Sequence, residues 1–520
     1  MSEESEILTE GAPTYDLGKL HGGLRLPAEK DASTASGIVV APVPAQLVLP
    51  ITQHVGSPAS PVVGIGERVL KGQLIADADG PISAPVHASS SGKVVAIEPW
   101  PVSRRYGDPA PCIVIECDGE DRAIDTSEIV VDYASLERET LLDKILQGGI
   151  VGLGGAVFPT AQKLMQALSG HMEYLILNGV ECEPYISCDD MLMREFATDV
   201  LRGGQILLHA LGLTECLVVV ESDKPEAIAA LTTALGELDD KRIVVKQVPT
   251  VYPSGAEDQL VQLVTNREVP TGGLPSDVGC VVQNVGTAAA VYHWIARGEP
   301  LLSRVTTITG DGIAKPVNVI SRLGTPIAHI VELAGGYTDR ASHMVIGGPM
   351  TGKSVTTDRV PVVKATNCVL VLSEAVPIGD VRPCIRCGEC ATVCPIQLLP
   401  QQLFWHACSD NEDKLRDFGL VDCIECGCCD LVCPSHIALT SEFRRAKARM
   451  RELADEKARA ERARLRFEAR NQRLADEEAE RAAELGRQKE AAKTVTPDQI
   501  RAIMDRAKSD EGSSDPDGDD

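Results

Sequence analysis

The sequence predicts a multidomain fold of α/β and β parts ending in helices, and three observations carry that expectation. A chain of 520 residues with 44% hydrophobic content can fill several cores, whereas a single core stops growing at roughly 250–300 residues. Residues 63–98 alternate short apolar runs with Gly and Pro, as small β units do. Residues 130–295 alternate β-rich runs such as 216–220 with helix-like runs such as 226–238, the pattern of α/β layers.

In order along the chain, an N-terminal segment at 1–36 precedes a β domain at 37–129. Its stretch Ile82-Ser-Ala-Pro-Val-His87-Ala-Ser-Ser-Ser-Gly-Lys93-Val resembles a biotinyl or lipoyl-type barrel sandwich. Lys93 lacks the flanking residues of a carrier lysine, so the expected role is scaffold, with His87 an ordinary turn residue. An α/β domain follows at 130–300. At 301–365, strands near 305–309 and 315–319 and a helix stopped by Gly335 and Gly336 resemble a soluble-ligand-binding β-grasp domain. A cysteine-rich domain at 366–440 is expected to be helical, because an apolar run containing Leu398, Leu403 and Trp405 lies between its motifs. Residues 441–509 are rich in Ala, Arg, Glu and Lys, all good helix formers. One sparse seven-residue row (Leu453, Ala460, Phe467, Leu474) lacks an apolar companion row, so a long solvated charged helix is expected rather than a coiled coil. The acidic, Ser-rich end at 510–520 is expected to be disordered.

Charge narrows the function. Lys and Arg total 50 against 75 Asp and Glu, which argues against a nucleic-acid partner. Residues 1–440 hold 55 acids and 31 bases, whereas 441–509 hold 14 acids and 19 bases. No run of 18 apolar residues appears and the first residues do not read as a signal peptide, so the expected place is the cytoplasm, with membrane contact only through partner subunits. In that compartment 17 cysteines favour metal ligation or free thiols over disulfides.

Spacing decides among these. Cys384, Cys387, Cys390 and Cys394 before Pro395 form C-x2-C-x2-C-x3-C-P, and Cys423, Cys426, Cys429 and Cys433 before Pro434 repeat it. Three thiolates at such intervals wrap one cubane, and the fourth cysteine ligates the other cluster of a pair. The expected sets are therefore Cys384, Cys387, Cys390 with Cys433, and Cys423, Cys426, Cys429 with Cys394, each holding a [4Fe–4S] cluster. Paired all-cysteine zinc sites are the alternative, though those more often show two separated C-x2-C knuckles. Cys428 reads as a bystander thiol.

A second signal is the stretch Gly148-Gly-Ile-Val-Gly152-Leu-Gly154-Gly155-Ala156-Val-Phe158-Pro159-Thr160-Ala-Gln-Lys163, a glycine-rich turn running into a helix that can present N–H groups to a phosphate. It resembles the FMN-binding loop of the NADH-oxidising flavoprotein subunit of respiratory complex I. In the same order follow Asn178-Gly-Val-Glu181-Cys-Glu183-Pro184, Tyr252-Pro-Ser-Gly255-Ala-Glu257 and Gln283-Asn284-Val-Gly-Thr287, which are similar to three further stretches of that family. The resemblance implies FMN held by Gly152, Gly154, Gly155, Lys163, Asn178, Glu181, Asn284 and Thr287, with Phe158, Glu183 and Glu257 near the nicotinamide of NAD(H). Lys163 and Glu183 become the candidate catalytic pair. The sequence departs from the family at Val180 and Ala256, where acids would stand, and lacks its nicotinamide-side lysine loop.

The module order over roughly 15–440 resembles the RnfC family, the C component of the Rnf ion-translocating electron-transport complex. That resemblance implies a peripheral protein on the cytoplasmic side of the cell inner membrane. It would pass electrons between NAD(H) and, indirectly, ferredoxin or flavodoxin, bound to the other components of the complex, while ions move elsewhere. Two alternatives stay open: a cobalamin reductase of metabolic microcompartments, which resembles the RnfC family, and a non-catalytic electron-wiring scaffold that has lost NADH binding.

Overall fold

The computed structural model describes residues 20–103, 108–127, 130, 132–373 and 379–510. Of the end expected to be disordered at 510–520, Asp510 closes a helix, while 511–520 and most of the N-terminal segment lie outside the described residues. The chain divides into two compact units, Met1–Arg445 and Ala446–Asp520.

In the first unit, a four-stranded antiparallel sheet orders Gln46–Pro50, Pro109–Cys117, Gly92–Pro101 and Arg68–Val69. A three-stranded sheet of Ser60–Pro61, Leu74–Asp77 and Val86–His87 accompanies it. Gly92 is required by close approach, since a Cβ there would lie 2.1 Å from the Glu116 carbonyl oxygen. Lys93 lies within the strand Gly92–Pro101 rather than at a hairpin tip. His87 corrects the sequence reading: it is a buried strand residue with its ring centroid 6.4 Å from that of Trp294, not a turn residue. Burial first, then the Lys364 ammonium, holds its imidazole down to about 3. The strand has only two residues, too few to show a period in sequence.

The α/β part carries a four-stranded all-parallel sheet ordered Ile243–Val248, Cys216–Glu221, Tyr174–Gly179, Cys280–Asn284. Cys216–Glu221 is buried throughout, which is why 216–220 read as an unbroken apolar run, and the buried Glu221 at its end pairs with Lys224. Helices Ala197–Leu211 and Val285–Arg297 press so closely that a Cβ on Gly203 would lie 1.9 Å from the Ala288 carbonyl oxygen. The second of these helices carries Thr287 in its first turn.

A six-stranded mixed sheet orders Val39–Val40, Val317–Arg322, Ser303–Thr309, Cys368–Leu372, His343–Ile346 and Lys353–Val355. Two of its strands come from outside 301–365. Val39–Val40 falls within the range expected for the sandwich domain and Cys368–Leu372 within that of the cysteine domain, yet both pair here. Short apolar runs carry no record of their distant partners, so a boundary drawn along the chain cuts through this sheet.

The cysteine-rich part is helical as expected, with Pro400–Cys408 and Glu412–Asp417 between the motifs. A helix then runs from Leu439 to Lys493, and a shorter one spans Pro497–Asp510. Side chains of 454–494 are exposed, and ion pairs such as Arg464 with Glu461 and Glu468 run along the helix surface. Among the described residues no helix is long and apolar enough to cross a membrane.

Candidate functional site

The parallel sheet, numbered in chain order, runs third, second, first, fourth, so the chain switches direction between its first and fourth strands. Ligand crevices form outside the carboxyl ends of strands at such a point. Here Asn178 and Asn284 are register partners at those ends. Onto them folds the glycine loop: Leu153 N donates to Thr287 Oγ1 at 2.9 Å, and Gly152 N to the Phe158 carbonyl at 2.9 Å. A Cβ on Gly154 would come within 3.6 Å of Asn284, whereas one on Gly155, whose φ is +108°, would meet nothing within 4 Å. The loop thus closes on Asn284 from one side and offers an open, side-chain-free edge on the other. That cradle fits a phosphate-bearing planar cofactor such as FMN.

The polar residues of the crevice are held by one another. Asn284 Oδ1 accepts from Gly286 N at 2.8 Å, capping the helix Val285–Arg297, and its Nδ2 donates to Asp189 Oδ2 at 2.6 Å. Asn178 donates to the Gly255 carbonyl at 2.9 Å. Glu181, at φ +50°, accepts from Asp189 N at 2.7 Å and Asp190 N at 3.1 Å, so its carboxylate caps the helix Cys188–Glu195. Lys30 Nζ donates to the Glu181 carbonyl at 2.5 Å. Burial, then the neighbouring Glu181 carboxylate, pushes the Asp189 carboxyl up to about 7. Sequence reasoning missed Asp189 and Lys30. Asp189-Asp190 at a helix start was a readable capping signal, but Lys30 lies 151 residues from its partner and gave none.

Glu183, expected near a nicotinamide, accepts from Met350 N and Thr351 N, both at 2.8 Å, and from Thr351 Oγ1 at 2.7 Å. A turn of the six-stranded sheet's domain therefore grips it, and Gly348 is glycine because a Cβ would sit 2.5 Å from Glu183 Oε1. Lys163 pairs with Glu257 at 2.5 Å, both partly exposed. Phe158 is partly buried at the foot of the glycine loop. At the departures from the family pattern, Val180 is buried in the core, and Ala256 is the N-cap of Glu257–Thr265 without a side-chain hydrogen bond.

The cysteines line two cavities. One is lined by Cys423, Cys426, Cys429 and, from the other motif, Cys394. The other is lined by Cys384, Cys387, Cys390 and Cys433. Cys428 is buried and also lines the first cavity, beside Cys426. That cavity adjoins the α/β domain, where Tyr252 Oη donates to the Cys426 carbonyl at 2.7 Å, while the N-terminal segment meets the first motif through Gly23 N, which donates to the Val393 carbonyl at 3.0 Å. At the second cavity Cys387 is exposed. Two quartets of motif cysteines, each drawing on both motifs, fit iron–sulfur groups.

Comparison with known proteins gives three family models in series. The RnfC barrel sandwich hybrid domain matches residues 18–120, the Nuo51 FMN-binding domain 145–293, and the SLBB domain 305–354. Among whole proteins, the chain is similar to several named as the C subunit of an ion-translocating oxidoreductase complex. That of Pseudomonas aeruginosa is 47% identical over 94% of this chain and 64% of its own length. That of Vibrio cholerae is 42% identical over 98% and 66%, and that of Yersinia pestis 44% identical over 92% and 76%. The chain thus spans just under two thirds of the Pseudomonas and Vibrio relatives.

Proposed function

The chain belongs to the family of C subunits of ion-translocating oxidoreductase complexes, and from that premise we propose that it accepts electrons from NADH at a crevice-bound FMN and passes them through two [4Fe–4S] clusters. The recipients are the other subunits of a membrane-bound complex of the Rnf type, which exchanges electrons between NAD(H) and ferredoxin or flavodoxin and couples the exchange to ion movement. The chain itself sits on the cytoplasmic face of the inner membrane, held there by partner subunits.

FMN, when bound, supplies the exchange between two-electron and one-electron chemistry. The protein's part is placement. The glycine loop leaves room for the cofactor, Asn178 and Asn284 fix its floor, and Lys163 brings a cation to the rim. The observation that carries the reading is the crossed pairing of the cysteines next to that crevice. Asn178 touches Gly255, and three residues before it Tyr252 touches Cys426. The quartet of Cys394, Cys423, Cys426 and Cys429 is accordingly the first to receive an electron. The quartet with exposed Cys387 is the exit.

Protein purified without oxygen is expected to contain one flavin with about eight iron and eight sulfide per chain, and NADH should bleach the flavin absorbance. Zinc in place of iron would remove the cluster assignment, and an unbleached flavin would remove the dehydrogenase role. One observation favours a second reading, in which the chain wires electrons without touching NADH: both oxygens of Glu183 are already occupied by the turn at Met350 and Thr351. Bound flavin that is reduced through the clusters but never by NADH would establish that reading instead.

A further inference from the structure

Resting on the assignment of the crevice to a flavin, the geometry points to Asp189 as a positioning residue that also takes up a proton as the bound cofactor gains negative charge and releases it as that charge leaves.

Two carboxyl groups meet at the crevice floor. Glu181 is the fixed one, with its side chain only 4% exposed and one oxygen on each of two helix N–H groups. Asp189 is partly exposed and carries Asn284 Nδ2 on its Oδ2 at 2.6 Å. Through that bond it addresses the side chain at the switch point, where the cofactor lies. The titratable and charged groups around it are few. Glu181 stands on the loop after the first strand, Lys30 on the N-terminal segment, Arg304 on the strand Ser303–Thr309, and Cys188 beside it, with Sγ 4.0 Å from Asp189 Oδ1. The cations are committed elsewhere. Lys30 Nζ bonds the Glu181 carbonyl and reaches the Glu181 carboxylate at 4.0 Å, while Arg304 donates to the carbonyls of Lys364, Leu153 and Val305. Among the described residues Asp189 has no ion-pair partner, and two adjacent carboxylates resist simultaneous ionisation. Burial, then the charge of Glu181 beside it, therefore raises the Asp189 carboxyl to about 7.

The balance is simple. A hydride from NADH brings two electrons and one proton into the crevice, leaving it one charge more negative. One proton from water then joins Asp189, which neither gains nor loses electrons. As the two electrons depart singly towards the cysteines, the hydride's proton and the one held by Asp189 both return to water.

The test is the midpoint potential of flavin in the intact holoprotein, read from pH 5.5 to 8.5. The wild-type potential should fall more steeply with pH around neutrality, by about 30 mV per pH unit beyond its slope elsewhere for one additional proton per two electrons. Asp189→Asn should keep flavin bound and lose that extra slope, and Asp190→Asn should keep it. Glu181→Gln, which relieves the repulsion, should move the steep region to lower pH, so the inference stays testable should Asp189→Asn not fold. Flavin bound with equal slopes in the wild type and Asp189→Asn, or an unmoved steep region in Glu181→Gln, overturns this inference alone. A wild-type protein without flavin overturns it together with the crevice assignment.

Discussion

The cysteine cavities and the flavin-type crevice are both electron-handling regions in this reading, yet they are assembled on opposite plans. Each cysteine motif spans eleven residues, 384–394 and 423–433, and 28 residues part them. Of the motif cysteines at each cavity, three come from one motif and one from the other, so the chain's local spacing builds most of the site. The crevice draws on Lys30, the loop at 152–158, Asn178 to Asp189, Gly255, Asn284 to Thr287 and the turn at 348–351, and its polar groups hold one another rather than waiting for a ligand. A site whose donors converge on a bound group should lose that group outright when one donor is removed. A site whose donors already satisfy each other should keep its shape and change its affinity or its response to pH.

The largest expected effect tests the local plan at its one nonlocal point. Cys394 belongs to the first motif but lines the cavity of the second. Cys394→Ser should therefore lower iron from about eight to about four per chain and remove the paramagnetic signature of the cluster near the crevice. Cys390→Ser should remove the other signature. Identical residual spectra from the two variants would mean that each motif holds its own metal.

The crevice's dependence on distant packing comes next. Gly203→Val would force apart the helices Ala197–Leu211 and Val285–Arg297, the second of which carries Thr287. Overpacking of this kind costs about 1–3 kcal/mol, or more when backbone must move. Denaturant unfolding should register that loss and flavin retention should fall, while the iron content per folded chain stays at the wild-type level. Iron lost in parallel with flavin would show that the two regions are one cooperative structure.

Lys364 offers a smaller and more pointed test. It is 1% exposed and its Nζ donates to the carbonyls of Pro85 at 3.0 Å and Gly149 at 2.7 Å, tying the sandwich to the foot of the glycine loop. Burial pulls its ammonium down to about 7. Between there and the ordinary value of 10.5 the unfolded chain binds the proton and the folded chain does not, so stability should rise with pH across that window. The slope is at most about 1.4 kcal/mol per pH unit. Lys364→Met should flatten the rise, as thermal unfolding at pH 7, 8 and 9 would reveal. A rise that survives the substitution would assign it to other groups.

These contrasts also explain what was legible in the sequence. The cysteines that line each cavity could be grouped from spacing, because three of them in each group stand within seven residues of one another. The strand Cys216–Glu221 was readable from its apolar run at 216–220, and Asn178 and Asn284 from family resemblance. What stayed hidden depends on where remote segments land. Asp189 reads as a capping acid until Asn284, 95 residues on, is placed against it. Glu183 looks free until the turn at Met350, 167 residues away, closes over both its oxygens. His87 reads as a turn residue until the strand Val86–His87 is buried with its ring facing Trp294. The domain boundary at 365/366 failed for the same reason, because Cys368–Leu372 finds its neighbours in Ser303–Thr309 and His343–Ile346.

The smallest expected change in stability separates structure from ligand handling most cleanly. Lys163 and Glu257 pair at 2.5 Å across the rim of the crevice, with side chains 28% and 40% exposed. Water competes for such a pair, and exposed ion pairs contribute about 0–1 kcal/mol. Lys163→Met should therefore leave unfolding within about 1 kcal/mol of the wild type, and iron unchanged. If Lys163 serves the cofactor, flavin should wash out several-fold faster, because a phosphate-bearing ligand loses its nearest mobile cation while the glycine loop and Asn284 stay in place. Glu257→Gln releases the same lysine without removing it. It should match the small stability change, yet hold flavin at least as tightly as the wild type, since the ammonium stays at the rim, beside Asp258, with its closest carboxylate partner removed. Equal flavin loss from both variants would mean that the ion pair itself, and not the lysine's charge, shapes the rim.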